Sequence, residues 1–240
     1  MGFEELAAAT LVVALGSVVQ AISGVGAGFL IVPLLAWIDV GLIPGPVVLG
    51  SMSLSGVMGY RERRHIQFAH MPLIFLGLIP GAVAGGYLLS RVSFDRLGMM
   101  FGTVMLIAIA ITASGFRIPL TRGSAGLAGA VAGVMGTSSG IGAPVLALLY
   151  QDQSGPKVRA TLAVLYAGAS FLIIISLFVF GKFGIIEVVS GLLLMPGYLL
   201  GYALSHRLTA RIDTGGTRAA VLLVSAVAAL SLILQSLPGI

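Results

Sequence analysis

Eight stretches of this chain contain no Asp, Glu, Lys or Arg: residues 6–38, 40–60, 71–90, 97–116, 123–151, 160–181, 188–205 and 219–240. No other feature limits the fold so strongly. One helical crossing of a bilayer takes about 20 apolar residues, and six of the eight runs suit one crossing each. The first and fifth, at 33 and 29 residues, are too long. Only 9% of the 240 residues are charged, against about 25% in soluble domains, which is too few to cover a water-exposed surface. The expected fold class is an all-α polytopic membrane protein.

The two overlong runs share a second feature. Ser23-Gly24-Val25-Gly26-Ala27 and Ser139-Gly140-Ile141-Gly142-Ala143 interrupt them near their centres. Glycine costs roughly 1 kcal/mol against alanine inside a helix, so each cluster predicts a broken or re-entrant segment. Half-spans of about a dozen residues, reaching ~20 Å, would then meet in the middle of the membrane.

The clusters recur at an offset of 116. At the same offset Pro80-Gly81, Gly85, Leu88 and Arg91 match Pro196-Gly197, Gly201, Leu204 and Arg207, and with a slip Pro46 and Ser51 pair with Pro156 and Thr161. This divides the chain into a first membrane repeat, 1–116, and a second, 117–240, each with one interrupted and three plain segments. Duplication of this kind marks secondary transporters.

Charge placement sets the expected orientation. If each interrupted segment crosses twice or returns to its own side, Arg61, Arg63, Arg64, Arg117, Arg122, Lys157, Arg159, Arg207, Arg211 and Arg218 share one side. Only Arg91, Arg96 and Lys182 lie on the other. By the positive-inside rule the richer side is cytoplasmic. Both termini then lie outside the cytoplasm, and the second repeat is inverted relative to the first.

The net charge of +5 comes from short basic clusters between apolar runs. That is the pattern of membrane loops, so no nucleic-acid partner is expected; Arg61-Glu62-Arg63-Arg64 reads as an orientation signal that can also meet anionic lipid. Cysteine is absent, which excludes disulfides and thiolate metal sites. The first ten residues lack the basic region of a signal peptide, so the first apolar run is expected to remain in the mature protein. His65, His70 and His206 sit at segment edges without ligand spacing, and no metal or cofactor is expected. Asp39 and Glu187 fall at outer edges and read as interfacial caps.

Unwound backbone at membrane depth is tolerated only inside protein or beside a water-filled cavity. A broken helix also exposes the N-terminus of its second piece, where free N–H groups and the dipole favour anions. Two such ends would make an anion site without a buried Lys or Arg. The expected substrate-binding residues are Gln20, Ser23, Gly24 and Gly26 around the first break and Thr137, Ser138, Ser139, Gly140 and Gly142 around the second. Ser51 and Thr161 would add hydroxyls from the following helices. The competing explanation is that these serines bond the preceding turn of their own helix. Gly81/Gly85, Gly98/Gly102, Gly129/Gly133 and Gly197/Gly201 read as packing pairs instead.

The run SGVGAGFLIVP with its second copy SGIGAPVLALL resembles the duplicated glycine-rich signature of the sulfite exporter TauE/SafE family, across nearly the whole chain. The departures are a shortened glycine run in both copies, Gly24-Val25-Gly26-Ala27-Gly28 and Gly140-Ile141-Gly142-Ala143-Pro144, and Leu149 in place of the following proline. The resemblance implies a bacterial inner-membrane transporter, most simply an exporter, of sulfite, sulfonates or related small organic anions, and not an enzyme. Its partners would be the small anionic substrate and membrane lipids; homo-oligomer formation is left open. A passive anion channel of the same architecture is the alternative. Gly136-Thr137-Ser138-Ser139-Gly140 also matches the G-x-S-x-G of serine hydrolases, but that motif needs a strand-to-helix turn with a partnered histidine and acid.

Overall fold

The computed structural model describes residues 2–24, 27–115, 117–153, 155–208 and 214–236, and among them the secondary structure is helical. The first five helices are α1 (Phe3–Ser23), α2 (Ala27–Ile38), α3 (Gly45–Arg61), α4 (Met71–Arg91) and α5 (Leu97–Ala113). The second five are α6 (Arg122–Ser139), α7 (Ala143–Leu149), α8 (Gly155–Val179), α9 (Ile185–Leu208) and α10 (Thr214–Gln235). Among the described residues, five helical stretches are long and apolar enough to cross a bilayer, including all of α1, α4 and α8. The all-α polytopic membrane fold is the one the charge-free runs predict.

Both overlong runs break at their glycines. Gly24 and Gly140 adopt left-handed backbone, each with φ of 78°, and close the preceding helix by donating an N–H to Gln20 O at 2.7 Å and to Gly136 O at 2.8 Å. L-residues with a side chain rarely adopt this conformation. The pieces on either side are unequal, which corrects the expectation of paired half-spans. α1 has 21 residues and α6 has 18, about 32 and 27 Å of helix, whereas α2 has 12 and α7 only 7. At the start of α1 the reason is local: Glu4 and Glu5 belong to the first turn, where carboxylates suit the dipole. Gly2 N–H donates to Glu5 Oε2 at 2.8 Å, so the helix begins ahead of the charge-free run. At α6, Thr121 and Ser124 cap each other's backbone N–H groups. The short piece α7 folds back on α6, since a methyl on Gly142 would stand 2.5 Å from Ala132 O.

Small residues set the helix pairs. Methyls on Gly77 or Gly81 of α4 would overlap the carbonyls of Gly126 or Ala130 in α6, and one on Gly129 of α6 would overlap Ile74 O. In the same way Gly197 of α9 meets Thr10 and Val13 of α1, and Gly201 meets Ala14 and Ser17. Contacts advance together along both chains, so each pair is parallel and packed at backbone distance. Gly98 and Gly102 of α5 pack against Ser236, just past α10, and Ile233 of α10. The glycine pairs read from the sequence as packing devices do pack.

The connections reveal the running directions. Arg159 Nε donates to Glu62 Oε1 at 3.0 Å, Gln67 N–H donates to Thr161 Oγ1 at 3.1 Å, and Arg117 Nη1 lies 3.7 Å from Asp152 Oδ1. The connections after α3, α5 and α7 therefore share one end. Gly45 packs on Phe183 and Glu187, which sets the starts of α3 and α9 together at the other end. α1, α3 and α9 thus run toward the first end, and α4, α6 and α8 run away from it. Arg61, Arg63, Arg64, Arg117, Arg122, Lys157 and Arg159 gather at that first, basic end, while Arg91, Arg96 and Lys182 lie opposite. The side chains of Arg207, Arg211 and Arg218 lie outside the described residues.

The backbone approach makes a direct prediction. Gly133→Val places side-chain carbon where even a methyl would lie 2.7 Å from Leu78 O and Ala82 N, and it should cost about 1–3 kcal/mol or more. Gly56→Ala, with nothing within 4 Å of the new methyl, should stay within about 1 kcal/mol of wild type and on the stabilising side. Melting temperatures in detergent check this; equal effects from the two variants would refute glycine-mediated packing of α4 on α6.

Candidate functional site

The first turn of α2 lies against the α6–α7 break: a methyl on Gly28 would stand 3.9 Å from Gly140 O, and Val32 packs on Gly140. Around this meeting point is a cavity of about 80 Å³, a few times the ~30 Å³ share of one water in the liquid. It suits a solute of a few heavy atoms. The walls come from both sets of helices: Gln20 of α1, Gly28 of α2, Ser51 and Ser55 of α3, Gly136 of α6, Gly140 and Gly142 at the break, Tyr166 and Ser170 of α8, and Tyr198 of α9. The rest of the described lining is apolar, and no charged residue is among it.

The polar groups divide into two kinds. Some are already satisfied: Ser51 Oγ donates to Val48 O at 2.9 Å, Tyr166 Oη to Ala143 O at 3.3 Å, and Tyr198 Oη to Val47 O at 3.3 Å. Others are not. The Gln20 side-chain amide and the hydroxyls of Ser55 and Ser170 make no hydrogen bond to protein among the described residues, although these residues are only 7%, 1% and 6% exposed. Buried polar groups are nearly always paired, and an unpaired one costs about 1–3 kcal/mol. The polar atoms of these three residues open onto the cavity, where a polar solute or water would give them partners. The Gln20 amide offers two N–H donors and each hydroxyl one. Gly28 brings the opening turn of α2 to the wall, and the N-terminal end of a helix dipole favours negative charge.

Four residues expected from the sequence line the cavity: Gln20, Ser51, Gly140 and Gly142. The other described ones lie elsewhere. Ser23 is exposed and its hydroxyl donates to Val19 O at 2.7 Å. Gly24 is covered by Arg159 of α8. Ser138 and Ser139 both donate back to Met135 O, at 3.4 and 2.8 Å, the intrahelical bonding that competes with a binding role. Thr137 is buried against Gly85 with its hydroxyl unpaired. Thr161 accepts the Gln67 N–H and so ties down the segment before α4. Gly26 lies outside the described residues. Ser138 stands inside continuous α6, so the strand-to-helix elbow of a serine hydrolase is not formed there.

Among the polar and glycine residues of the lining, Ser55, Ser170, Tyr166, Tyr198, Gly28 and Gly136 are the ones that sequence reasoning missed. A signal for three of them was present. Ser55 follows Ser51 by four residues and Ser170 follows Tyr166 by four, the spacing that puts hydroxyls on one helix face. Asp39 and Glu187 act as caps, accepting Gly41 N–H at 2.8 Å and Gly184 N–H at 2.7 Å.

Comparison with known proteins gives one result. The family model described as Sulfite exporter TauE/SafE matches residues 9–232. No curated protein and no solved structure matches the chain.

Proposed function

Because the chain belongs to the sulfite exporter TauE/SafE family, a family of membrane transporters, we propose that it carries sulfite, sulfonates or similarly small anions by alternating access around the cavity between its two helix breaks. The observation that carries this function is the set of three donors that open onto the cavity without a protein partner among the described residues, Gln20, Ser55 and Ser170, in a lining whose described residues include no charged one. An oxyanion has several acceptor oxygens in a small volume. Amide, hydroxyl and backbone N–H donors satisfy them, while the absence of a fixed cation lets the ion leave again.

We further propose that residues 1–116 and 117–240 are inverted repeats. Support comes from the opposed directions of α1 and α6, of α3 and α8, and of α4 and α9. An inverted pair around a central site suits alternating access, because the same rocking motion can open either end. The basic end faces the cytoplasm by the positive-inside rule, in a bacterial inner membrane with both termini outside, and net movement is export.

Two measurements test these proposals. In proteoliposomes, labelled sulfite should show saturable counterflow. Gln20→Leu and Ser55→Ala should each raise its KM roughly two- to tenfold, the loss of one hydrogen bond, while Ser55→Ala melts no lower than wild type because its hydroxyl has no protein partner to lose. Flux without saturation would indicate a passive channel, and unchanged KM in both variants would remove the cavity from the transport path. Reporter fusions at residue 240 should register a non-cytoplasmic C-terminus; a cytoplasmic one would overturn the proposed orientation.

A further inference from the structure

At the basic end a second concavity is lined by Arg61, Glu62, Arg63, Arg64, His65 and Arg159. Among its described lining residues arginine outnumbers glutamate, so the concavity is basic. Its centre is the Glu62–Arg159 pair, with Nε to Oε1 at 3.0 Å and both side chains 26% exposed. The pair joins the end of α3 to the start of α8, and so one set of five helices to the other. Glu62 is poorly satisfied: its Oε2 is buried and has no hydrogen-bond partner. Arg159 is constrained from behind, because its stem covers Gly24 at the first helix break, where a methyl would stand 2.9 Å from Cγ. Arg63 is held by its own turn, with its guanidinium 4.5 Å from the Tyr60 ring centre and Nη1 donating to Tyr60 O at 3.3 Å.

The geometry points to a second anion site here, in which a small oxyanion takes the place of Glu62 on Arg159. This assignment rests on the transport proposal only for the identity of the anion. A guanidinium fork receives two oxygens of an oxyanion as readily as those of a carboxylate, and the surplus charge favours an incoming anion over water. Glu62 is the internal competitor. With no anion present it neutralises Arg159 and ties α3 to α8; when an anion arrives, that tie across the two helix sets is released beside the Gly24 break. The site thus collects the anion at the basic end and loosens the end through which it must pass. A lipid phosphate presents the same oxygens, so the two sources have to be separated by the test.

The experiment titrates the full-length protein in neutral-lipid nanodiscs with sulfite, following heat, for wild type, Glu62→Gln, Arg159→Gln and Gln20→Leu. Gln keeps an acceptor for Arg159 and preserves the fold, but removes the competing charge. Glu62→Gln should therefore show a sulfite-binding component at least about tenfold tighter than wild type, the scale of a hydrogen bond to a charged group. Arg159→Gln should lose that component. Gln20→Leu should keep it while weakening binding at the central cavity, so failure of either site is read separately. Equal titrations of wild type, Glu62→Gln and Arg159→Gln would overturn the second site. Loss of the Glu62→Gln component when phosphatidylglycerol replaces the neutral lipid would overturn its assignment to the transported anion, in favour of a lipid headgroup.

Discussion

Inside a bilayer, a backbone N–H or C=O that leaves its helix must find another partner, because hydrocarbon offers none. Two helix breaks in one chain are therefore tolerable only if protein surrounds both. Here the enclosure is built from glycine. Gly77, Gly81 and Gly129 bring α4 against α6, and Gly197 and Gly201 bring α9 against α1, at distances no side-chain carbon would allow. Each of the two helices that end in a left-handed glycine thus has a parallel neighbour packed at backbone distance. Cross-links to carbonyls complete the enclosure: Ser225 Oγ donates to Phe29 O at 2.6 Å in α2, and Ser176 Oγ donates to Ala82 O at 2.8 Å in α4.

The same enclosure shapes the electrostatics of the cavity. Attraction between unit charges grows several-fold as the effective dielectric falls from that of water, so a lysine or arginine lining this space would hold an anion too firmly for turnover. Neutral donors and a helix N-terminus provide weaker, divided attraction. Full charges stay at the ends, where water screens them. On the proposed function, neutral groups inside and arginines at the basic end would divide recognition between them, a division set by the local dielectric.

Much of this was legible from the residues alone. Charge-free runs located the helices, since a charge in hydrocarbon is costly, and the recurring Ser-Gly-x-Gly-Ala located both breaks. What could not be read was how far the helix extends on either side of a glycine. Glu4 and Glu5 looked like a boundary but belong to α1, and Gly24 ends a full-length helix instead of joining two halves. Side-chain destinations were harder. Ser23 and Ser139 carry the most conspicuous signature positions, yet both hydroxyls return to their own helices. Thr161 is the repeat partner of Ser51 but is taken by Gln67. Ser55 and Ser170 have no repeat partner to draw notice; their position depends on which face of α3 and α8 turns inward, and packing across the chain decides that.

If an oxyanion binds among neutral donors at the junction of the two breaks, a heavier analogue should be visible there. Selenite has the charge and shape of sulfite and carries an atom with a usable X-ray absorption edge, so anomalous diffraction from crystals soaked in selenite tests the claim most directly. The account predicts a selenium peak within hydrogen-bonding distance of the Gln20 amide and the Ser55 and Ser170 hydroxyls. Selenium found only elsewhere, with the cavity empty at saturating selenite, would contradict it.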